Sequence, residues 1–511
     1  MKPSAVLVHC ALLAGLMGCF VPRLDRALFL PQDLHEIPRN TPYLKAHMQS
    51  GTVYIFDSWH SDQTGQIITG RGQLLDINRR LVKKGTFKIG VDSVALFETN
   101  ILNDSGPSKA LMILTLASAG ITLYCVSNPK ACFGSCPTFY VYDGDTLRLQ
   151  AEGFSSSISR SLEQSDVDML YFARPVGGRV EIVVKNEALE THVIRYADLL
   201  IVPREPNRYV FKTPSGEFMY TAPPVTPVIA RAAEGDILSK IRRFDHDERF
   251  SQADSTNLAA KEIIHLEFDP VPAGRYGLII SARQTLMTTF LFYQTLAYAG
   301  RYVGELLARI EREAPRSHKA LNGIGNLLGG ITLQYFDPMK QKWVETGEVR
   351  ETGPIATDTW ILPFSHRGGP VHLRLSMTKG NWRIDYLALA EIREKATPLR
   401  LTPARVMKDG MPREDVREKL IDREQSLVTL PGDVYTLIYQ LPETVGEAVY
   451  FLESRGYYYE WIRKEWLQEE NPDMLLTMLQ EPERALKLLA PEYKKIEQDM
   501  EKIFWSSRYA R

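Results

Sequence analysis

The chain has 511 residues, and at roughly 150 residues per domain this length predicts about three domains. Hydrophobic residues make up 44% of the sequence and charged residues 24%, a composition typical of a globular protein with sizeable cores. The 61 basic and 62 acidic residues give a net charge of −1, which excludes a general nucleic-acid binder and a strongly acidic disordered chain. We therefore expect no nucleic-acid partner.

Residues 1–19 have the pattern of an export signal. Lys2 is followed by an uncharged, largely apolar stretch at 3–18, which is too short to span a bilayer comfortably. The sequence Leu16-Met-Gly-Cys19 resembles the lipobox of bacterial lipoproteins. This resemblance implies cleavage after residue 18 and lipidation of the Cys19 thiol. The alternative is a plain secretion signal or membrane anchor in which Cys19 carries no lipid.

A lipidated Cys19 predicts where the protein is located. Two fatty chains and an N-acyl chain hold a protein stably on a membrane, since a single chain gives only marginal binding. Residue 20 is Phe rather than the Asp that retains some lipoproteins in the inner membrane. We expect a protein of the bacterial cell envelope, anchored to the outer membrane by its N-terminal lipid.

Three cysteines remain once the signal and the lipidation site are set aside, namely Cys125, Cys132 and Cys136. Cys132 and Cys136 flank a short segment with a Gly that can close a tight loop, so we expect a structural disulfide in the oxidising envelope. Reduced buried thiols, a redox pair and a metal site are the alternatives. No paired His spacing nearby completes a zinc site, and redox pairs are usually one residue closer. We expect no metal and no cofactor.

The stretch 110–129 lies between Lys109 and Lys130 and has no formal charge. Its length reaches that of a membrane span, but Ser, Thr, Asn and Gly residues dilute it. A span would also place the following chain on the opposite side of the membrane from the lipid. We favour a buried helix or hairpin, with a membrane span as the alternative.

Short alternating segments bounded by turn residues predict strands along most of the chain. Segments 52–56, 66–69 and 93–97 predict an antiparallel sheet, and 138–142 with 146–150 predict a hairpin about an Asp-Gly turn. Further strands are predicted at 179–184, 192–196, 199–202, 209–211, 263–268, 276–280, 331–335, 343–344, 359–362, 371–375 and 382–387.

Two regions change to a helical pattern. Residues 285–313 contain no Pro and predict a long buried helix, and the chain from Glu443 onward predicts a helical region that docks through its aromatic rings. The whole pattern predicts a mainly β fold with α, multi-domain, with antiparallel β-sandwich or jelly-roll-like units. The predicted parts are a signal peptide at 1–18, an N-terminal β domain with the apolar and Cys segments at 19–170, a middle β domain ending in the long helix at 171–329, a β-sandwich-like unit at 330–395 and a mostly helical segment at 396–511.

The sequence predicts no catalytic residues, and its candidate sites are side chains that also have ordinary structural explanations. Glu190 and His192 share one face of a predicted strand, as metal ligands would, but a solvated sheet edge is the favoured interpretation. Aromatic rings can stack on sugars, although at these spacings they are more often core. The candidate binding aromatics are Trp343, Trp360, Trp382, Tyr457 and Trp461.

Four segments together resemble a family of uncharacterised bacterial exported lipoproteins with a CFGSCPTFY motif. They are NPKACFGSCPTFY at 128–140, ARQTL at 282–286, GNWRIDY at 380–386 and ESRGY at 453–457. These segments are spread over most of the mature chain. The resemblance implies an envelope protein and supplies no catalytic residues.

We therefore expect a lipid-anchored envelope protein that acts as a non-catalytic binding or assembly module. The membrane is one expected partner, and other envelope proteins or glycans are further ones. A surface glycan-binding or carbohydrate-active protein is the alternative. A thiol redox protein that uses Cys132 and Cys136 is the second alternative.

Replacing Cys19 by Ser removes the thiol that would carry the lipid. We expect the Cys19→Ser variant to lose metabolic labelling by a fatty acid and to retain residues 1–18, as read by autoradiography and mass spectrometry. Cys10→Ser is the matched control, because Cys10 lies in the segment to be removed, and it should be labelled and processed normally. Labelling of the Cys19→Ser chain would contradict lipidation at this residue.

Overall fold

Strands form most of the secondary structure of the protein, for which a computed structural model describes residues 23–38, 41, 43–76, 80–103, 136–155, 157–313, 323–350 and 353–506. The fold is mainly β with α and multi-domain, as the sequence predicts. The domain boundaries drawn from the sequence stay a prediction. Two compact units are present: unit 1 takes the described parts of Met1–Ala117 with Leu296–Arg309 and Ile462–Pro472, and unit 2 those of Ser118–Thr295, Ile310–Trp461 and Asp473–Arg511.

Unit 1 is built on one antiparallel sheet. Phe56, Ile68 and Phe97 are buried on one face of it, which accounts for the alternating pattern of the sequence. The three strands predicted in this region are confirmed. The strands are β1 (Arg23–Phe29), β2 (Leu44–Met48), β3 (Val53–Ser61), β4 (Ile67–Leu75), β5 (Leu81–Gly90) and β6 (Val94–Asn103), in the spatial order β1-β6-β2-β3-β4-β5.

Unit 2 contains the remaining described strands. The predicted hairpin about Asp143 and Gly144 is confirmed, and Gly144 has the left-handed φ of +60° that such a turn requires. In chain order the strands are β7 (Thr138–Asp143), β8 (Thr146–Glu152), β9 (Gln164–Met169), β10 (Arg179–Lys185), β11 (Glu190–Pro203), β12 (Tyr209–Lys212), β13 (Phe218–Thr221), β14 (Ile229–Ala232), β15 (Gly235–Asp236), β16 (Arg249–Phe250), β17 (Lys261–Gln284), β18 (Ile331–Asp337), β19 (Lys342–Val349), β20 (Asp358–Thr378), β21 (Trp382–Ala396), β22 (Leu399–Leu401), β23 (Arg405–Lys408), β24 (Met411–Pro412), β25 (Leu427–Thr429), β26 (Val434–Gln440) and β27 (Ala448–Glu460).

These strands form three sheets. A six-stranded sheet has the order β24-β23-β26-β10-β7-β8, and a five-stranded sheet has the order β22-β11-β27-β9 with β25 also paired to β11. Phe139 and Leu437 of the first sheet share a core with Leu199 and Leu452 of the second, so the two sheets pack face to face as a sandwich. The third, ten-stranded sheet has the order β15-β14-β17-β21-β13-β12-β20-β18-β19, with β16 paired to β21.

Helices connect and flank the sheets. No helix of the described residues is both long and apolar enough to cross a membrane, and the stretch 110–129 lies outside those residues. The helices are α1 (Leu238–Ile241), α2 (Met287–Ala299), α3 (Val303–Glu313), α4 (Ile324–Leu328), α5 (Glu414–Ile421), α6 (Lys464–Gln468), α7 (Pro472–Gln480), α8 (Pro482–Ile496) and α9 (Met500–Ser506), with short 3-10 turns at Pro31–Glu36, Val91–Ser93, Arg160–Leu162 and Gly300–Tyr302.

The ten-stranded sheet is organised around β17 and β20, two strands of 24 and 21 residues. The sequence predicts four shorter strands here, since Pro270, Pro272 and the pair Gly368-Gly369 interrupt the pattern. Pro270 falls at a register shift between Phe268 and Val271, where the ladder is locally interrupted, and Pro272 follows directly. Both glycines have left-handed φ values, of +95° and +100°. Each predicted pair of strands is therefore one long strand.

The predicted helix 285–313 is interrupted at Gly300. α2 ends at Ala299, and a 3-10 turn leads into α3. Gly300 has a φ of +52°, and a Cβ atom on it would lie 2.3 Å from Cβ of Glu470. The sequence pattern hides this break because a Gly sets it rather than a Pro.

The C-terminal region becomes helical at Lys464, later than predicted. Residues Ala448–Glu460 form β27, which pairs with both β11 and β9. β-Branched and aromatic residues such as Val449 and Phe451 favour a strand, and two neighbouring strands complete its hydrogen bonds. Of the aromatic rings expected to dock, Trp466 of α6 is buried, whereas Tyr458 is buried as part of β27 and not of a helix.

The ten-stranded sheet also buries ion pairs. Nη1 and Nη2 of Arg249 donate to Glu262 at 2.8 and 2.7 Å. Nε and Nη2 of Arg283 donate to Glu248 at 2.6 and 2.7 Å. Burial alone would lower the pKa of Arg283, but its bonds to Glu248 raise it, so the guanidinium stays charged. Such bidentate pairs replace the hydration that both charges lose on folding.

Asp385 lies in the same sheet and is fully buried. Its Oδ1 accepts the backbone N–H groups of Asp245 at 3.3 Å and His246 at 2.9 Å. Burial raises the pKa of Asp385 to about 6, although the hydrogen bond from Asp245 and the charge of His246 act in the opposite direction. The carboxyl group of the folded protein therefore titrates above the value near 4 that is usual in an unfolded chain.

Asp385→Asn should change how stability depends on pH. Because folding raises the pKa of Asp385, its carboxyl group contributes to the stability of the folded state below about pH 4. This contribution is lost as the pH rises through about 6. We expect the free energy of unfolding of the native chain to fall relative to that of Asp385→Asn between pH 4 and 7, as measured by urea denaturation. Asp269→Asn, at an exposed position on β17, is the control and should show no such trend. Parallel pH profiles of the native chain and Asp385→Asn would rule out the raised pKa.

Candidate functional site

The two predicted modifications lie at or beyond the limits of the described residues. Cys19 and Cys132 are outside them, and Cys136, the second thiol of the predicted disulfide, is described and buried. Lipidation and the disulfide therefore stay predictions, as does the redox alternative.

The candidate aromatic residues differ in their exposure. Trp360 and Trp382 are each 1% exposed in the core of the ten-stranded sheet, so neither ring is open to a ligand. Tyr457 is also buried. Trp343 is half-buried, and Trp461 is 43% exposed. Of the five predicted rings, only these last two are accessible from solvent to any extent.

Glu190 and His192 are buried, with 3.0 Å between Oε2 of Glu190 and Nε2 of His192. The ring of Tyr458 meets the imidazole edge-on. The expectation of a solvated sheet edge is wrong, because β11 lies inside the five-stranded sheet between β22 and β27. Among the described residues, no three His, Cys, Asp or Glu side chains are grouped so that they could hold a metal ion.

A charged cleft of about 580 Å³, the arginine cleft, lies along the five-stranded sheet of unit 2. Its lining combines guanidinium groups with fewer carboxylates and a phenol ring. The lining residues are Arg160, Arg195, Arg400, Arg423, Arg455, Glu163, Glu424, Glu453 and Tyr196.

Adjacent strands place these side chains next to one another. Arg400 is on β22, Arg195 on β11, and Glu453 and Arg455 on β27, and these three strands are neighbours in that order. Tyr196 is also on β11, and Arg160, Glu163, Arg423 and Glu424 come from short segments that flank the sheet. Because hydrogen-bonded strands have a fixed spacing of about 4.8 Å, the cleft has a rigid floor.

A β-bulge aims two consecutive side chains at the cleft. The register between β11 and β27 shifts between Ile194 and Tyr196, so Arg195 is the extra residue. In a regular strand, neighbouring residues point to opposite faces, whereas a bulge re-aims a side chain. Arg195 and Tyr196 therefore both line the cleft.

Glu163 holds two of the arginines. Its Oε2 accepts from Nε of Arg195 at 3.2 Å, and its Oε1 accepts from Nε of Arg455 at 2.9 Å. A guanidinium has five N–H donors in a plane, so a bond through Nε leaves the terminal nitrogens to bind a further acceptor. The pair is thus oriented by Glu163 and still offers donors to a ligand.

Asp198 fixes the other side of the cleft. It is 0% exposed, and its Oδ2 accepts from Nη1 of Arg400 at 2.8 Å and from Nη2 of Arg423 at 2.6 Å. Both arginine side chains remain nearly half exposed. Burial alone would lower the pKa of Arg400, but its bonds to Asp198 and Glu453 raise it. One buried carboxylate therefore positions two charged groups at the protein surface.

Tyr196 restricts the positions of two neighbouring charged side chains, Glu453 and Arg423. Its hydroxyl donates to Oε1 of Glu453 at 3.0 Å, and the guanidinium of Arg423 lies 4.0 Å from its ring centroid. Burial and the charge of Glu453 raise the pKa of Tyr196, so the phenol stays a neutral donor. The cation–π contact restricts Arg423 to a position over the ring.

The cleft has more positive than negative groups. Five arginines surround Glu163, Glu424, Glu453 and the buried Asp198, and the exposed Arg160 makes no ion pair with any residue that the structure describes. Planar guanidinium groups match the oxygens of phosphate and carboxylate ligands. The described lining includes no His, Ser or Cys, so its donor set suits binding of an anion rather than acid–base or nucleophilic chemistry.

The sequence alone does not reveal this cleft. Only the quoted segment 453–457 contributes to it, with Glu453 and Arg455. In the sequence, each of these arginines is indistinguishable from an ordinary surface residue. Only the register of the sheet brings the five side chains together. One local signal exists: Asp198 interrupts an apolar run at 197–202, and a carboxylate on a buried strand needs cationic partners.

Unit 1 has a second cleft, of about 730 Å³. Its lining includes Trp59, His35, His60 and Asp62. Nε1 of Trp59 is buried and has no hydrogen-bond partner within the described part of the chain. Because this lining mixes rings with largely uncharged polar groups, it defines the chemistry of a ligand less sharply than the arginine cleft does.

Comparison of the chain with protein-family models and with curated proteins gives no match. Among solved structures, the secreted serine protease VesC from Vibrio cholerae is similar over 71% of this chain and 75% of that chain, at 9% sequence identity and a TM-score of 0.13. A TM-score this low carries no argument about fold or activity.

Asp198→Asn should destabilise the protein, because the neutral amide cannot balance the charges of Arg400 and Arg423. We expect the free energy of unfolding to fall by about 2 kcal/mol at pH 7, since both arginines can regain water. Glu424→Gln makes the same change of charge at an exposed residue of the cleft and should change it by less than about 0.5 kcal/mol. Equal effects of the two variants in chemical denaturation would show that Asp198 has no special role.

Proposed function

We propose that the protein is a lipid-anchored protein of the bacterial cell envelope, held at the outer membrane, whose non-catalytic role is to bind an anionic ligand in the arginine cleft. The envelope location is supported by the signal pattern ending at Cys19 and by the resemblance to exported lipoproteins. The ligand class is supported by the side chains that line the cleft.

The observation that carries the proposal is the convergence of five guanidinium groups on one cleft of about 580 Å³. Clefts of roughly 300–1,000 Å³ take small ligands or a few groups of a larger one. Four of the five arginines are held by carboxylates or by the Tyr196 ring before any ligand arrives, which lowers the entropy cost of binding.

The ligand must compete with the carboxylates already present. Glu163 and Glu453 accept bonds from arginines of the cleft, so a single weak acid gains little by entering. A group with two or more negative charges, such as a diphosphate or several carboxylates on one scaffold, engages the remaining donors together. A phosphorylated or acidic glycan carries such groups. The glycan-binding alternative is therefore compatible with a ligand in the arginine cleft.

Two other functions have less support. The carbohydrate interpretation based on Trp343, Trp360 and Trp382 requires rings that a sugar can reach, but Trp360 and Trp382 are buried and Trp343 is half-buried. The redox interpretation depends on Cys132, which lies outside the described residues. No feature of the described residues supports either function as directly as the arginine cleft supports anion binding.

Titration calorimetry with pyrophosphate at pH 7 and low salt tests the proposal. We expect the native chain to bind, and Arg160→Gln and Arg455→Gln each to weaken binding about tenfold by removing one charge-assisted hydrogen bond. Glu163→Gln should strengthen binding, because it removes a negative charge that competes with the ligand while the amide oxygen can still accept from one of the two arginines. Arg243→Gln is the matched control, since it removes the charge of an exposed arginine outside the cleft and should leave the affinity unchanged.

Two results would contradict the proposal. One is a native chain that binds neither pyrophosphate nor inorganic phosphate. The other is an equal loss of affinity in Arg243→Gln and in the two cleft variants, which would show a general charge effect instead of a site.

A further inference from the structure

One face of the unit 1 sheet is basic along β4 and β5. Ile68 and Phe87 pack in the unit 1 core, so the alternation of the strands places Arg71, Lys84 and Lys88 on the opposite face. These three residues define the basic face. The two strands contain no Asp or Glu, and their cations are Arg71, Lys83, Lys84 and Lys88.

The cations of the basic face are close together. Arg71 pairs with Thr86, so Lys84 and Lys88 are its diagonal neighbours at about 7–8 Å. All three side chains are exposed, and none makes an ion pair with a residue that the structure describes. Like charges at this spacing repel one another, so a neutralising surface outside the chain would be favourable.

Cations elsewhere in the same sheet are neutralised internally. Arg26, Lys45 and His47 surround Glu98 of β6, at distances of 3.1, 2.8 and 3.0 Å. Burial alone would raise the pKa of Glu98, but bonds from His47 and Lys45 lower it to about 2. The basic face differs from this group because none of its three cations makes an ion pair with a described carboxylate, including the exposed Asp57 at the β3 bulge beside Ser58, the partner of Arg71.

We propose that the basic face lies against the anionic phospholipid surface of the membrane that carries the protein. This inference rests on the lipid anchoring proposed above. Cys19 precedes Arg23, the first residue of β1, by four residues, and such a segment spans at most about 14 Å. β1 belongs to the same sheet as the basic face, so the anchor keeps this sheet near the bilayer.

A bilayer fits the basic face better than a small anion does. The three cations form a triangle on an exposed sheet face and line neither of the two clefts described above. Exposed Leu81 pairs with Leu75, which lies on the same side of β4 as Arg71, and offers an apolar contact at the interface. Lysine and arginine side chains near an anionic leaflet are attracted over a distance of about a Debye length, without a defined pocket.

Vesicle binding of the full chain tests this inference. In a Cys19→Ser background, Arg71→Gln/Lys84→Gln/Lys88→Gln should bind phosphatidylglycerol-containing vesicles about 100-fold more weakly than the parent, at roughly fivefold per residue. The matched control is Lys342→Gln/Lys487→Gln/Lys502→Gln, which removes the same charge at exposed positions of unit 2 and should bind as the parent does. Vesicles of phosphatidylcholine alone should not distinguish the two triple variants.

Three outcomes of these measurements would overturn the inference. Equal binding of the two triple variants to anionic vesicles would exclude a role of the basic face at a membrane. Displacement of the chain by inorganic phosphate at constant ionic strength would assign the face to free phosphate. Binding of poly-glutamate, but not of anionic vesicles, through Arg71, Lys84 and Lys88 would assign it to an acidic protein. A fatty-acid label on Cys19→Ser would refute lipidation at Cys19 and leave the vesicle result standing, because these vesicle measurements do not use the lipid.

Discussion

The antiparallel pairing of β11 with β27 is the constraint on which both the sandwich and the arginine cleft of unit 2 depend. It runs from Glu190 opposite Glu460 to Pro203 opposite Ala448. One face of the pair gives Leu199 and Leu452 to the sandwich core, and the other gives Tyr196, Asp198, Glu453 and Arg455 to the cleft. A slip of one residue would exchange the two faces and bury these charges in the core. The register that packs the sandwich therefore also assembles the cleft.

The same pairing explains why arginines are needed there. Asp198 and Glu453 lie directly opposite each other, and two carboxylates in that position repel. Arg400 contacts both carboxylates, and Arg423 is a second cation in contact with Asp198. A planar guanidinium can bridge two carboxylates with separate nitrogens, whereas an ammonium group acts as a point charge. The cations of the cleft thus balance the carboxylates of the sheet and at the same time leave guanidinium donors at its surface.

The sequence predicts those parts of the fold that depend on local patterns. The unit 1 strands and the hairpin about Gly144 follow from alternation and turn residues within a few positions. The joining of β17 and β20 into long strands, and the assignment of β27 as a strand, depend on partners far away in sequence. The arginine cleft depends wholly on such partners, as Tyr196 and Glu453, 257 positions apart, illustrate. Only Asp198, a carboxylate in an apolar run, marks the cleft locally.

The long pair of β17 and β20 also has a consequence for how fast the chain folds. Its strands are joined by distant contacts such as that between Ser281 and Thr359, which are 78 positions apart. Closing such loops costs conformational entropy before strand pairing contributes any favourable free energy. Topologies of this kind therefore fold in roughly milliseconds to seconds. For a chain whose first residues predict export, slow closure of this pair leaves time for transport in an extended form. Assembly of the ten-stranded sheet would then begin only after the second strand of the pair has arrived.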